Sequence, residues 1–361
     1  MAPIPSTTKQ WTLSHKPHSH LPILPNSSKS LSPEIPPTFT LKNTPLSSPG
    51  PSQALLKTIY LSNDPAQRGW ISATADPARL YVPPINVGEV MGSTGIAEVV
   101  ASGDEDRLKP GSRVFARTGW SEYTVANIED CTVIGSLEGL RDTHFLGSFG
   151  LPGLTAYYGL VEVVKLGKED TLVVSGAAGA VGSMVVQIAR KIVGCKRIIG
   201  IAGTDEKCRW AEKLGADVCI NYRKESFEED LFRETEGFVE VYFDNVGGKI
   251  LDLMLLRVKR YGRIAACGTI ANYNRDGDPV GLKNFYEVIS NRITIHGFLI
   301  FDYFPKIAEA TQVLVEAWKD GKIEVDDATE TVVQAKFEDI PAVWMRLFEG
   351  ANTGKLTTEL V

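Results

Sequence analysis

One turn constrains this chain more than any other feature. The run Val173-Val174-Ser175-Gly176-Ala177-Ala178-Gly179-Ala180-Val181-Gly182-Ser183 spaces glycines at 176, 179 and 182. A short valine-rich segment precedes them and a helix-periodic one follows. A strand that ends in such a turn and re-enters as a helix lets backbone approach a pyrophosphate, with free N–H groups and the positive end of the helix dipole aimed at it. Glycine spacing alone is a weak signal. The strand before it and the helix after it supply the required context. The form is G-x-x-G-x-x-G, not the commoner G-x-G-x-x-G, and a tight turn without a ligand is the competing reading.

The same alternation continues downstream. KRIIGIAG, ADVCINY, VEVYFDNVG, RIAACGTI and RITIHGFLI have the texture of buried strands, and AVGSMVVQIARKIV, TDEKCRWAEKLG and GKILDLMLLRVKR that of helices. Repeated β-α-β units predict an α/β fold with a doubly wound parallel sheet. Thr171 to Ala189 runs 19 residues without a charge, close to membrane-spanning length. Its glycines and serines break it into strand, turn and helix, so no membrane span is expected.

Upstream the texture differs. The first 51 residues hold 11 of the 20 prolines, which excludes a run of central strands or long helices there. Short edge strands joined by loops are expected, with one strand at Gln53 to Leu61. VGEVMGSTGIAEVVASG and GSRVFARTGWSEYTV are valine-rich and glycine-broken, as in a small curled β-domain. The final stretch from TVVQAKF onward is expected to pack back on that domain. His15, His18 and His20 have a ligand-like spacing, but no nearby Cys or acid completes a site; they read as solvated loop histidines.

At 361 residues the chain has room for two domains. A net charge of −6 gives no electrostatic reason to expect nucleic acid or an anionic membrane as partner. Five scattered cysteines, with no C-x-x-C pair, suggest a reducing compartment. No secretory or transit signature is visible, so a cytoplasmic location is expected.

The second strand bears on cofactor choice. An NAD site places Asp or Glu at its tip to hold the ribose 2′-OH. Here KRIIGIAG ends in Gly203-Thr204, and Asp205, Glu206 and Lys207 come later. Gly203 and Thr204 leave room for a 2′-phosphate. Lys207, unfavourable in a first helical turn on its own, becomes favourable against that phosphate. NADP is therefore expected over NAD, with a solvated surface lysine as the alternative.

YLSNDPAQRGW, VGEVMGSTGIAEVVAS, GLPGLTAYYGL, GAAGAVGS, AEKLGAD, FDNVGG, CGTIANYN and GANTGK follow one another in this order. Together they resemble the zinc-independent branch of the medium-chain dehydrogenase/reductases, nearest the prostaglandin reductase and alkenal double-bond reductase group. The resemblance spans nearly the whole chain. It implies a GroES-like substrate and catalytic domain from residues 1–149 and 318–361, and a Rossmann NADP-binding domain at 150–317. It implies that Ala180, Val181, Gly182 and Ser183 hold the pyrophosphate, and that Lys207 and Tyr222 flank the 2′-phosphate beside Gly203. Asn245 would meet the cofactor near the pyrophosphate and ribose. Cys267, Gly268, Thr269, Tyr273 and Phe298, Leu299 and Ile300 would line the nicotinamide pocket. Thr155 would face the nicotinamide amide, and Asn352 would reach in from the C-terminal segment. A homodimer paired through the edge strand near Arg292 to Ile300 is also implied.

Zinc-dependent relatives carry a Cys near the YLSNDP position and Gly-His-Glu where this chain reads Val87-Gly88-Glu89. No Cys or His stands there, so no metal is expected. Without a Lewis acid, alcohol–carbonyl exchange loses its usual catalyst, and an activated C=C bond is the remaining target for an NADPH hydride. The expected substrate is a small α,β-unsaturated ketone or aldehyde, an enone or enal. Hydride goes to the β-carbon, and the Tyr273 hydroxyl and the cofactor ribose stabilise the enolate. Alternatives are a trans-acting enoyl reductase of a polyketide-type pathway, a quinone reductase, or a non-enzymatic NADPH-binding protein of crystallin or sensor type. One departure is Asp64-Pro65-Ala66-Gln67-Arg68, where many relatives have a Tyr at the position of Ala66; a differently shaped pocket follows.

Overall fold

The computed structural model describes residues 5–18, 20–25, 36–275 and 279–361. Near the start of the chain β1 (Thr7–Leu13) and β2 (Phe39–Pro45) pair as an antiparallel ribbon. The proline-rich segment thus yields peripheral strands, as its composition requires. The expected Gln53 strand is β3 (Gln53–Ser62). It pairs with β4 (Gly95–Ser102) and with β6 (Tyr123–Asn127), while β5 (Arg113–Ala116) and β7 (Thr132–Val133) extend the sheet beyond β4.

The second sheet contains β8 (Thr171–Ser175), β9 (Arg197–Ala202), β10 (Val218–Asn221), β11 (Val239–Asp244), β12 (Val258–Ala266) and β13 (Thr294–Gly297). All its pairings are parallel, in the order β10-β9-β8-β11-β12-β13. The order reverses between β8 and β11, which is where doubly wound sheets open a ligand crevice. β14 (Glu330–Ala335) and β15 (Lys355–Leu360) return to the first sheet, with β15 antiparallel to β3.

The parallel strands are apolar on both faces because helices cover both. Val174 and Phe243 pack with Leu154, Met184 and Leu314 on one side. Their neighbours Val173 and Tyr242 pack with Phe227, Leu231 and Met254 on the other. Around the first sheet the core is aromatic, with Phe39 on Trp120 at 4.9 Å and Trp120 on Trp344 at 5.6 Å between ring centroids.

The uncharged stretch from Thr171 resolves into strand β8, a turn and the helix Ala180–Gln187, which runs on as a π-helical segment, Ile188–Val193. Among the described residues no helix is long and apolar enough to cross a membrane. Three expectations need correction. The helix expected to run through GKILDLMLLRVKR stops at Leu255, and its last residues open β12. The strand expected to reach Ile300 ends at Gly297. Ile300 turns into the core and begins a 3₁₀ helix, Ile300–Lys306, whose Tyr303 stacks on Tyr158 at 4.5 Å. That aromatic packing outweighs the β-propensity of Phe298-Leu299-Ile300. The histidines also differ: His18 is exposed, while His15 and His20 stack in parallel, 6.3 Å apart.

Candidate active site

The glycine turn is built for close approach. Gly179 caps the helix Ala180–Gln187 without a side-chain hydrogen bond. The N–H groups of its first turn therefore have no intrahelical partner. Gly182 packs the helix onto the strand end; a Cβ there would lie 2.1 Å from the Gly176 carbonyl oxygen. Ala180 and Val181 are only partly covered, whereas Gly182 and Ser183 are buried. The turn is also tied to a distant segment. Gly354 donates its backbone N–H to the Ala178 carbonyl at 2.9 Å, and Gly354 and Gly179 form a parallel bridge. Asn352 lies two residues away and donates from Nδ2 to the Gly354 carbonyl at 2.8 Å. Asn352 and the Ala180–Ser183 turn therefore meet at one place.

At the end of β9 a second group converges. The Thr204 hydroxyl caps the helix Asp205–Leu214 by accepting from the Lys207 N–H. The Lys207 ammonium reaches the Gly350 carbonyl at 2.8 Å. Gly350 closes the helix Ile340–Glu349, so the cation meets the negative end of that helix. The Tyr222 ring lies over Gly203, where a Cβ would come within 3.1 Å of it. Asp205 is engaged elsewhere, by Asn221 at 2.9 Å and by the Lys224 ammonium at 2.9 Å.

Arg223 joins this group although the sequence reading passed over it. Its guanidinium stands 5.9 Å from the centre of the Tyr222 ring. It also flanks Gly350, as Lys207 does. Burial, and then the Arg223 charge, pull the Lys207 ammonium below its usual range. Among the described residues Arg223 makes no salt bridge. Two cations held together with no carboxylate between them form a site for an anion.

The third group sits at the sheet's switch point. Asp244 ends β11 buried. It accepts from Ser175 Oγ at 3.1 Å, from the Tyr242 hydroxyl at 2.7 Å, and from the backbone of Val246 and Gly247. Burial nonetheless raises its carboxyl. Its carbonyl accepts from the backbone of Cys267 and Gly268. Asn245 donates from Nδ2 to the Ser175 carbonyl at 2.7 Å, joining β8 to β11 across the crevice. Beyond β12, the partly buried Tyr273 turns its hydroxyl toward Gly268 and Thr269; the Thr269 N–H lies 3.5 Å from it. Burial pushes the Tyr273 phenol up to about 12 and the Cys267 thiol up to about 12. At neutral pH both are protonated, so Tyr273 has a proton to donate.

Of the remaining expected residues, Phe298 packs edge-on against Phe243 at 6.1 Å. Leu299 is partly covered, and Ile300 is a core residue. Thr155 lies on the helix Leu151–Tyr158, which is joined to this segment where the Tyr158 hydroxyl donates to the Lys306 carbonyl at 2.6 Å. Ala66 precedes the short helix Gln67–Trp70. In that helix Arg68 is fully buried and donates to Asn274 Oδ1 at 3.0 Å and to the His20 carbonyl at 3.2 Å. The Tyr273 loop is thereby clamped to the first part of the chain.

Residues 180–316 match a family model described as zinc-binding dehydrogenase, and residues 32–134 one described as the N-terminal domain of oxidoreductase. The chain is 33% identical over 354 residues to the NADPH-dependent curcumin reductase of Escherichia coli, covering 96% of this chain and 95% of that protein. It is 35% identical over 314 residues to the 2-alkenal reductase (NADP(+)-dependent) of Nicotiana tabacum, covering 85% of this chain and 87% of that protein. The crystal structure of CurA in complex with NADPH from Vibrio vulnificus superimposes with a TM-score of 0.84 at 32% identity, over 98% of this chain and 99% of that one.

Proposed function

The chain belongs to the zinc-independent medium-chain dehydrogenase/reductases, in the alkenal reductase group, and on that premise we propose that it uses NADPH to reduce the C=C bond of α,β-unsaturated ketones or aldehydes. The residues present fit the cofactor. The glycine turn forms a cradle that added side chains would crowd, the free helix N-terminus would hold the pyrophosphate, and Lys207, Arg223 and Tyr222 would hold the 2′-phosphate. Asp205, held by Asn221 and Lys224, is withdrawn from the role an NAD-type acid would play. The cofactor supplies the hydride.

This chain's own part is charge control. Asn245 and the Asp244 network keep the crevice open by locking the ends of β8, β11 and β12 in register. The enone oxygen gains negative charge as its β-carbon is reduced. The Tyr273 hydroxyl donates to that oxygen, acting chiefly on the transition state. Phe298 and Leu299 form the apolar wall that keeps water from the reacting carbon. The observation that carries this reading is the place of the Tyr273 hydroxyl, beside Gly268 and Thr269 just beyond the end of β12 at the β8–β11 crevice. Thr155 would contact the nicotinamide amide, and Asn352 would support the turn that holds the pyrophosphate.

Residues 1–149 and 318–361 form the substrate-side domain and 150–317 the cofactor domain, a division supported by which strands enter which sheet. The molecule is a cytoplasmic homodimer joined through β13. Support comes from the position of β13 at the sheet edge and from the exposed Tyr286 and Ile289 just before it. A panel of enones and enals with NADPH, followed by loss of cofactor absorbance and product mass, tests the activity. Products saturated at the C=C bond with the carbonyl intact are expected. Reduction to the allylic alcohol, or no turnover of any enone, overturns the reading.

A further inference from the structure

A second cluster lies away from the crevice, where the segment before the helix Leu151–Tyr158 meets the start of β14. His144 and Glu330 face each other there, Nδ1 to Oε2 at 3.7 Å, with side chains only 1% and 2% exposed. Neither ring nitrogen of His144 has a hydrogen-bond partner, and neither does Glu330 Oε2. The other carboxylate oxygen, Oε1, accepts from the Thr143 hydroxyl. Glu330 is thus fixed in orientation with one oxygen left bare toward the imidazole. Asp327 completes the group; one donor atom from each of His144, Asp327 and Glu330 lies within 4.8 Å of the other two.

Buried polar atoms without partners are costly, and a native chain seldom leaves three together. We propose that His144, Asp327 and Glu330 bind a divalent transition cation of the zinc type, distinct from any catalytic metal. One nitrogen and two carboxylate oxygens suit such an ion. Tetrahedral coordination at ~2.0–2.2 Å places neighbouring ligand atoms roughly 3.4 Å apart, close to the His144–Glu330 separation. Asp327 has to move inward, and it is free to do so because it is exposed. Its Oδ2 is paired with Arg141 at 3.0 Å, and a carboxylate can keep that contact while its other oxygen ligates. Thr143 supplies the outer hydrogen bond that orients a ligating carboxylate. Asp327 and Arg141 also line an open groove of about 560 Å³, together with Gly139, Leu140, Asp326 and Ala328, so solvent reaches the Asp327 side of the cluster.

The ion would join positions far apart in sequence. His144 leads into the helix that carries Thr155. Glu330 pairs in register with Lys355, next to the Gly354 bond to the glycine turn. The site therefore acts as a staple between two segments that flank the cofactor crevice.

The test uses tag-free full-length protein, since an affinity tag would bind the probe. Protein stripped with chelator is titrated with Co²⁺ and with Zn²⁺, then desalted, and retained metal is measured by elemental analysis alongside the Co²⁺ visible spectrum. One equivalent retained, with a four-coordinate Co²⁺ spectrum, is expected. Glu330→Gln keeps the volume and the Thr143 contact but removes the ligand oxygen. Asp327→Ala changes an exposed residue that does not threaten folding. Each should weaken retention by at least tenfold, and Thr143→Val by about 10–100-fold. A triple variant of His15, His18 and His20 to Ala should retain metal like the parent. No retained metal, retention unchanged in both Asp327→Ala and Glu330→Gln, or loss in the triple variant alone would overturn the proposal.

Discussion

The Gly354 N–H and the Ala178 carbonyl, 2.9 Å apart, join a loop near residue 350 to the turn that follows β8. Gly354 has φ +62°, and a Cβ there would sit 1.9 Å from the Thr329 carbonyl oxygen. Gly354→Ala must therefore move the loop or strain it, at a cost of about 1–3 kcal/mol. Both thermal stability and NADPH affinity should fall. Differential scanning calorimetry with and without NADPH measures the two effects. An unchanged NADPH-induced shift would show that the loop plays no part in holding the cofactor.

The Lys207–Arg223 pair should set cofactor preference. A hydrogen bond to a charged group is worth ~1.5–3 kcal/mol, so Lys207→Ala or Arg223→Ala should weaken NADPH binding by roughly ten- to a hundredfold. NADH binding should barely change. Isothermal titration with both cofactors decides. Equal losses for NADPH and NADH would place these residues outside the 2′-phosphate site.

Tyr273→Phe removes the hydroxyl and keeps the ring. Loss of one such donor typically costs ~2.7–4 kcal/mol, or about 10²–10³ in rate. The ribose hydroxyl shares the task, so a drop near the lower end is expected, in kcat more than in KM. Enone turnover at the parental rate would remove Tyr273 from the mechanism.

The pH dependence follows from the same phenol. Burial raises it to about 12, and the protonated form is the donor. The Tyr273 contribution should stay constant from neutral pH to about pH 10 and decline only as pH rises toward the raised value. A kcat profile measured with buffers overlapping in that range checks this. A basic limb near pH 8 that vanishes in Tyr273→Phe would contradict the assigned protonation state.

Turnover should not depend on a metal even though a cation is proposed elsewhere. Position Val87-Gly88-Glu89 offers no imidazole or thiolate, and Glu89 is turned to the backbone N–H of Asn86 at 2.8 Å. Prolonged chelation should leave kcat for an enone intact while lowering the melting temperature. Lost turnover restored by zinc at full thermal stability would reverse both assignments.

The glycine turn, the β-α-β order and Lys207 were legible because each depends on residues close together in sequence. A strand–turn–helix announces itself within a dozen residues, and the missing acid at the β9 tip is a local observation. Arg223 was harder to see. It follows Tyr222 directly in sequence, but its place opposite Lys207 depends on how the helix Ile340–Glu349 ends at Gly350. Ile300 was misassigned to a strand for a related reason: stacking of Tyr303 on Tyr158 is a tertiary contact that no local pattern encodes. His144 and Glu330 lie far apart in the chain and carry no motif. Only the fold brings their bare donor atoms together.

The position of β15 has a bearing on synthesis. One edge of β3 is shared: its residues 53–57 pair with β6, whereas its residues 60–62 pair with residues 357–359. Almost three hundred residues must be added before that neighbour exists, about 15–60 s of elongation at ~5–20 residues per second. The six parallel strands are complete by residue 297. The cofactor-side sheet can therefore form on the ribosome while the last residues of β3 still lack a partner on one side. Unpaired strand residues invite pairing with other chains, so the arrival of β15 closes the end of β3 last, after the cofactor-side sheet is complete.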